Sequence, residues 1–349
     1  MTVLKAGKSS RAEKTINLQL AKNKVFRLWL YCHDVTAKYA GLYIYISSYS
    51  NYAKHKLTNY YAVPNDKLSV GWNHLVFHYS NAWTDDGSEN WGSTMIKMRV
   101  KLTAATGQTC SATLGALDYG IVQQSKVVLR FDDASSGVYT KAYPYMQTKG
   151  LKGTTYAIPS RVGTPNYCTL TQLQEIYTSG VIEVSNHSYN HVDFTSMSVA
   201  DITTEITSAS DWLVSNGFTN SAYHFAVPNG VDNDNVTAAI AASNLHTSTN
   251  SLGTAFWMLN TNQLRIPGYA YLKDATLATV ISDIETCLRK NQSYVIMLHD
   301  IADSPANDYQ WSTANFQGLC DYLVQRKVDV VNMTDFYNGL TNPRKVVVR

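Results

Sequence analysis

The sequence has few charged residues, and it has no long apolar run. Charged side chains make up 16% of the 349 residues and the formal net charge is +3. The dense basic surface that binds nucleic acid through phosphate contacts is therefore not expected. No stretch reaches the roughly 18 to 20 apolar residues of a membrane-spanning helix. We expect neither a nucleic-acid partner nor membrane insertion.

Cysteines are also few, and their positions exclude two classes of small stabilised domain. The five are widely scattered and form no CxxC pair, so neither a disulfide framework nor a zinc knuckle is indicated. They are Cys32, Cys110, Cys168, Cys287 and Cys320. We expect them to be mostly buried thiols.

The first third of the chain differs from the rest, and the length suits two domains. Residues 1–120 contain alternating β-rich runs such as "FRLWLYCHDV" and "STMIKMRVKLTA", separated by polar turn clusters. This pattern predicts an all-β antiparallel sandwich. We expect the linker in "GALDYGIVQQS", residues 115–125.

Residues 121–349 alternate short apolar strands with helical segments, from "KVVLRF" and "VYTKAYPYMQTKG" to "TANFQGLCDYLVQRK" and "VDVVNM". Such alternation predicts a parallel sheet, either a (β/α) barrel or a doubly wound sheet. The length fits a barrel that lacks one or two units. In either fold the loops after the strands meet on one face, where we expect the site.

Acid and imidazole groups follow several of the predicted strands. They are Asp132 and Asp133 after "KVVLRF", His187 and His191 after "VIEV", and His299 after "YVIML". The first two histidines are four residues apart, close enough for both rings to face one point. With one carboxylate they form a two-His, one-carboxylate set, which suits a divalent metal with open positions.

A metal also explains why two aspartates stand side by side, since adjacent like charges at a strand end are costly without a cation. If Asp133 binds the metal, Asp132 is free to act as general base toward water that the metal activates. Each pattern is commonplace alone, because "FDD" is often a helix cap or a solvated turn. Together, and in this order, they predict a metal-dependent hydrolase.

Two further roles follow from the same strand ends. His299 would lie across the barrel mouth, where an imidazole can protonate a leaving group. Asp300 and Asp274 are both candidates to orient it, and the sequence does not decide between them. Backbone N–H groups near Asn229, in "VPNG", are candidate oxyanion donors.

These motifs, between residue 126 and about residue 338, resemble those of the NodB-homology polysaccharide deacetylases, carbohydrate esterase family four. "RFDDA" is similar to the family's TFDDG motif, with Ala134 in place of the glycine, and "HSYNH" matches H(S/T)xxH. "FAVPNG" is similar to the third motif and "MLH" to LxH. The resemblance implies a distorted (β/α) barrel that binds zinc, with cobalt, nickel or manganese as alternatives. It also implies removal of acetyl groups from amino sugars or from acetylated xylan.

Carried over residue by residue, the resemblance implies that Asp132 is the general base and His299 the general acid. The implied metal ligands are Asp133, His187 and His191. All five positions hold the residue types that the family requires.

The third motif departs from the family pattern. Ala226 stands where many members have an arginine that holds the base carboxylate, and Asn229 replaces the usual tyrosine. Two arginines could take over this catalytic role. Arg265 in "QLRIPG" is one candidate because it follows a predicted strand. Arg130 is the other, because alternate side chains of a strand share a face and place it beside Asp132.

The sequence therefore predicts a hydrolase that removes acetyl groups, N-acetyl before O-acetyl, from a cell-surface or extracellular polysaccharide. The alternative is a glycan-binding or adhesion protein, such as a phage receptor-binding protein, with a degenerate deacetylase domain. Aromatic runs in residues 1–120 fit a carbohydrate-binding module, or an attachment unit that forms homo-oligomers or docks on a virion. A core that buries these rings explains them equally well.

The N-terminal segment, "MTVLKAGKSSRAEKTINLQLAKNK", has no apolar core of the signal-peptide type. We therefore expect a phage structural protein that reaches the virion or the extracellular space by lysis. A cytoplasmic or non-classically exported enzyme is the alternative.

Overall fold

The computed structural model describes residues 2–7, 9–19, 25–34, 39–53, 55–60, 71–78, 83–86, 93–121, 125–231, 233–251, 260–261, 263–289 and 292–341. Contacts divide the chain into two units, residues 1–123 with 259–262 and residues 124–258 with 263–349. The short segment 259–262 thus belongs to the first unit, although both its sequence neighbours belong to the second. The expected division at residue 120 did not include this segment.

The first unit contains two five-stranded antiparallel sheets, in the order β1-β9-β3-β6-β15 and β2-β8-β4-β5-β7. Their strands are β1 (Thr2–Ala6), β2 (Ser9–Gln19), β3 (Val25–Cys32), β4 (Tyr39–Ser47), β5 (His55–Tyr60), β6 (Gly71–His78), β7 (Trp83–Asp86), β8 (Thr94–Ala104), β9 (Cys110–Ile121) and β15 (Asn260–Thr261). In β8 every second residue from Met98 to Ala104 is buried, as expected for a strand with one face on a core. Leu28 and Leu30 of the other sheet belong to the same apolar cluster, so both sheets contribute to one core.

The linker prediction is wrong for most of its length. β9 continues through residues 115–121 and pairs with β3 as far as Ile121. The reason is visible in the sequence, since Leu117, Tyr119 and Ile121 continue an apolar pattern of period two. All five cysteines are free and buried, as expected.

The second unit is built around a closed barrel of seven parallel strands. They are β10 (Lys126–Phe131), β11 (Gly153–Ala157), β12 (Ile182–Asn186), β13 (His224–Ala226), β14 (Thr247–Ser251), β16 (Ile266–Ala270) and β17 (Tyr294–Leu298). The barrel closes because β10 pairs with both β11 and β17. A further strand, β20 (Asp329–Val331), pairs with the first half of β10, and β18 (Asp300–Ala302) pairs with β19 (Gln310–Ser312). The predicted (β/α) barrel with a missing unit is confirmed.

Helices follow most of the barrel strands. They are α1 (Tyr143–Lys149), α2 (Leu170–Thr178), α3 (Val199–Ser215), α4 (Asp234–Ala242), α5 (Leu277–Arg289), α6 (Thr313–Gln325) and α7 (Met333–Thr341). Polar side chains fix several starts: Thr169 and Gln172 form a capping box at α2, and Ser198 caps α3. Among the described helices, none combines the length and the apolar character needed to cross a membrane.

The alternation of side chains along β10 positions the site. Leu129 and Phe131 belong to the large apolar cluster that the helices share, whereas Val128 belongs to a different cluster. Period two places Arg130 on the face of Val128, and Asp132 follows on that face at the carboxyl end of the strand. The buried side chain of Arg130 is therefore directed toward Asp132.

Candidate active site

Residues singled out in the sequence stand at the carboxyl ends of barrel strands, which share one face of the barrel. Asp132 and Asp133 directly follow β10, His187 and His191 follow β12, and His299 follows β17. The structure brings three of them together as a possible metal site: the ligand atoms of Asp133, His187 and His191 all lie within 4.8 Å of one another.

The three side chains converge on one carboxylate oxygen. Oδ1 of Asp133 lies 3.5 Å from Nε2 of His187 and 3.7 Å from Nε2 of His191. This oxygen is buried, and it has no hydrogen-bond partner in the part of the chain that the structure describes. A buried, unpartnered carboxylate oxygen beside two ring nitrogens fits a divalent cation, so the donor set suits the metal that the sequence implies.

A backbone contact orients the imidazole of His187. Nδ1 of His187 lies 2.9 Å from the carbonyl oxygen of Ala226. A carbonyl only accepts, so Nδ1 carries the proton and Nε2 keeps its lone pair for a metal. Burial lowers the pKa of His187 to about 3, and burial also lowers the pKa of His191. Both rings are therefore neutral at neutral pH, the state in which imidazole binds a metal.

The neighbouring carboxylate has a different environment. Arg130 donates from Nε to Oδ1 of Asp132 and from Nη2 to Oδ2, both at 2.6 Å. Both side chains are almost fully buried, with 1% and 4% exposed. Nη1 of the arginine donates to the hydroxyl of Thr249, and its guanidinium carbon lies 5.4 Å from the centre of the Tyr156 ring. This bidentate, charge-assisted pair fixes the direction of the carboxylate.

The two aspartates consequently differ in proton affinity. Burial raises the pKa of Asp132, but the charge of Arg130 and its hydrogen bonds to the carboxylate oppose burial, and the pKa is held at about 2. Burial raises the pKa of Asp133, and the adjacent Asp132 carboxylate raises it further. One carboxylate is thus kept ionised by an arginine, while the other is buried beside a like charge, an arrangement that a bound cation would stabilise.

The backbone at the strand ends adopts left-handed conformations that non-glycine residues seldom use. Positive φ angles occur at Asp133 (70°), Ala134 (52°), Ser188 (61°), His191 (56°) and Asn229 (54°). Each costs on the order of 1–2 kcal/mol. Such strain is typically found where a side chain must be aimed at a functional site.

Neither candidate aspartate orients the ring of His299. Its Nδ1 is buried and lacks a hydrogen-bond partner among the described residues. The carboxylate of Asp300 instead accepts from the backbone N–H of Gly137 at 3.0 Å and from the side chain of Gln310 at 2.9 Å. Asp274 is exposed. Neither of the aspartates considered from the sequence is therefore bonded to Nδ1.

Of the two candidate arginines, Arg130 makes the expected contact with the carboxylate of Asp132. Arg265 follows the short strand β15 and directly precedes β16, so it lies at the amino end of a barrel strand. Its position gives no support to the catalytic role predicted for it. Asn229 lies in the turn after β13, at the correct end of the barrel, and its side chain is exposed. Its oxyanion role stays a prediction.

Sequence reasoning missed three groups around the site. Thr249 lies in β14, whose sequence "TSTNS" lacks the apolar run by which strands are recognised. The carbonyl of Ala226 is a backbone group, so no residue type in the sequence indicates its role. Tyr309, whose ring centre lies 5.0 Å from that of His299, was also missed. Its side chain is 61% exposed, and nothing in the sequence distinguishes it from any other surface tyrosine.

Two carboxylates and three imidazoles stand at the carboxyl ends of the strands of this parallel (β/α) barrel, a set that suits metal-assisted hydrolysis. Residues 120–248 match the model of the polysaccharide deacetylase family, which identifies this part of the chain as a polysaccharide deacetylase domain. The family resemblance and the enzyme class inferred from the motifs are confirmed at this level. No curated protein sequence matches the chain.

Several solved structures are similar to the chain. A Streptococcus pyogenes deacetylase in complex with acetate is 22% identical, over 45% of this chain and 69% of that one, with a TM-score of 0.40. A family 4 carbohydrate esterase from Streptomyces lividans, also with acetate, is 19% identical over 60% and 91%, with a TM-score of 0.41. A family 4 acetyl xylan esterase from Clostridium thermocellum with a cobalt ion is 18% identical over 61% and 91%, with a TM-score of 0.45.

Proposed function

We propose that the chain is a metal-dependent hydrolase that removes acetyl groups, N-acetyl before O-acetyl, from a cell-surface or extracellular polysaccharide. One observation carries the proposal: an ionised aspartate, Asp132, is held rigidly beside a second carboxylate that converges with two neutral imidazoles. This arrangement separates a proton acceptor from a ligand set, the division of labour that metal-assisted hydrolysis needs.

Asp133, His187 and His191 would hold the metal, and zinc is the metal we propose. When bound, it would polarise the acetyl carbonyl and lower the pKa of a nearby water. The domain match and the possible ligand set support this assignment. Cobalt, nickel and manganese are the alternatives to test by replacement.

The remaining steps belong to side chains of this chain. Asp132 would take the proton from the attacking water, because Arg130 keeps the carboxylate ionised and pointed in one direction. His299 would donate a proton to the departing nitrogen or oxygen, since it directly follows β17 and so stands at the same end of the barrel as both aspartates. Backbone N–H groups near Asn229 would stabilise the oxyanion.

The primary experiment measures acetate release from a panel of N-acetylated and O-acetylated polysaccharides, with chelator and after zinc is restored. We expect release that the chelator abolishes and zinc restores, with N-acetylated members preferred. No release from any member, by protein shown to contain metal, would instead support the alternative of a glycan-binding or adhesion protein with a degenerate domain.

A second experiment separates the base from the ligands. Asp132→Asn should lower turnover by about 10²–10⁴-fold, the usual contribution of a general base, while the metal content stays at the wild-type level. Asp274→Asn, an exposed carboxylate with no described role, is the matched control and should keep full activity. Retained turnover in Asp132→Asn would contradict the assignment.

For the first unit, we propose a β-sandwich module that binds carbohydrate or attaches the enzyme to a larger assembly, such as a virion or a homo-oligomer. Two antiparallel sheets with a common core support this architecture. The virion or extracellular location expected from the sequence remains a proposal, and immunodetection in purified virions, compared with the cytoplasmic fraction, tests it.

A further inference from the structure

One face of the second sheet in the first unit carries an ordered array of cations. Strand registers place three rows across β2, β8 and β4, and each row joins residues directly opposite one another. The rows are Arg11–Lys101–Tyr43, Glu13–Arg99–Tyr45 and Thr15–Lys97–Ser47. We call these nine residues the basic face. The intervening residues of β8, such as Val100, point into the core, so the basic face, apart from the buried Ser47, lies on the outer surface of the sheet.

The charge on the basic face is strongly one-sided. Its four cations, Arg11, Lys97, Arg99 and Lys101, are accompanied by one carboxylate, Glu13, which leaves an excess of three positive charges. The whole chain, with 29 basic and 26 acidic residues, has a formal charge of only +3. Nine residues thus carry an excess as large as that of the entire chain.

The aromatic rings beside these cations support them and are not free for a neutral sugar. The guanidinium carbon of Arg99 lies 4.1 Å from the ring centre of Tyr52 and 5.6 Å from that of Tyr45. Nζ of Lys101 lies 5.4 Å from the ring centre of Tyr43. Cation–π contacts of this kind hold a cation above a ring. Arg99 is also ion-paired with Glu13 at 2.8 Å and its side chain is 21% exposed, so Arg11, Lys97 and Lys101 present most of the charge to a ligand.

The arrangement of the charges points to an extended ligand. Lys97, Arg99 and Lys101 recur at every second residue of one strand, which separates neighbouring charges by about 7 Å along the strand. A regular row of cations along a sheet face complements a chain molecule with anions repeated along it. It does not complement a compact ion, which needs a concave site.

We propose that the basic face binds an acidic polysaccharide, one with a carboxylate or phosphate on its repeating unit. This goes beyond the proposed hydrolase activity, since it requires neither the metal nor the barrel. A polysaccharide is favoured over other polyanions because the same chain carries a polysaccharide deacetylase domain. Binding at one site would raise the effective concentration of the same glycan at the other.

Affinity electrophoresis of the full chain in gels containing polygalacturonate, with dextran gels as the neutral reference, tests the proposal. We expect retardation by polygalacturonate only, and weaker retardation as salt is added. The double variant Arg11→Gln/Lys101→Gln should weaken binding about tenfold, from the loss of two exposed ion pairs. Glu13→Gln should strengthen binding, and Lys101→Arg should leave it unchanged.

The matched control removes two charges elsewhere. Lys152→Gln/Lys327→Gln lowers the net charge equally at exposed positions of the second unit and should bind polygalacturonate as the wild type does. Equal losses in both double variants would overturn the proposal, because net charge alone would then explain binding. Equal retardation by dextran, or equally tight binding of duplex DNA, would also overturn it. Thermal unfolding of each variant establishes that the first unit is intact, and acetate release reports independently on the barrel.

Discussion

Replacing Arg130 with glutamine should change both stability and the pH profile of catalysis. The guanidinium is 1% exposed and makes a bidentate pair with Asp132, whose pKa it helps to lower from 3.8 to about 2. That shift corresponds to about 2 kcal/mol of stability at neutral pH. Removing one partner of a buried pair also leaves the other charge uncompensated, and we expect a total loss of about 3–5 kcal/mol.

The sign of the pH dependence follows from the same pair. In the wild type the lowered pKa of Asp132 contributes stability above about pH 3.8, which is lost as the pH falls toward 2. In Arg130→Gln burial is no longer opposed by this charge, so the pKa of the carboxyl rises. The variant should then lose most stability at neutral pH, and protonation should recover part of that loss in acid.

Two assays test this reasoning. Urea unfolding of Arg130→Gln at pH 7 and pH 4 should show the larger deficit at pH 7. The acid limb of kcat/KM for acetate release, at saturating zinc, should move to higher pH because the base protonates more readily. Arg265→Gln is the matched control and should leave the acid limb in place. The double variant Arg130→Gln/Asp132→Asn, which removes both charges, should be more stable than Arg130→Gln.

A deficit equal at both pH values, together with an unshifted acid limb, would refute the role given to Arg130. A shifted acid limb in Arg265→Gln would return the positioning role to that residue.

Three further predictions concern one metal ligand, one buried histidine and one closely packed glycine. Asp133→Ala should weaken zinc binding at least about a hundredfold, measured by metal content after dialysis, and wild-type content would contradict its role as a ligand. Burial lowers the pKa of His224 to about 3, so the unfolded state gains a proton first as the pH falls below 6.5. In urea unfolding without metal, the wild type should lose about 2 kcal/mol more of its free energy of unfolding between pH 7 and pH 5 than His224→Asn does. Equal losses would disprove the prediction. Gly137→Ala should lose about 1–3 kcal/mol because its Cβ would overlap a backbone carbonyl of β18. Gly318→Ala, whose Cβ meets only a flexible side-chain end, is the control; equal thermal midpoints would refute the steric argument.

The sequence predicted correctly those features in which a pattern of neighbouring residues leads to a contact between residues close together in the chain. The bounds of β10 match the apolar run "KVVLRF", and period two correctly placed Arg130 on the face of Asp132. It failed where partners come from distant strands. β14 has a polar sequence because its buried side chains face polar partners such as Arg130, so no apolar pattern marks it. The sequence did not show that the barrel strand next to Arg265 begins after this residue, at the amino end of the barrel.

The strand β15 also determines how the protein can be divided experimentally. It lies between two neighbouring barrel strands, β14 and β16, yet it completes a sheet of the first unit by pairing with β6. A fragment ending at residue 123 would lack this fifth strand, and one starting at residue 124 would carry it with no sheet to join. Gene truncation at the obvious boundary therefore damages both halves. A swap of either unit into another protein must also redesign the segment from 252 to 262.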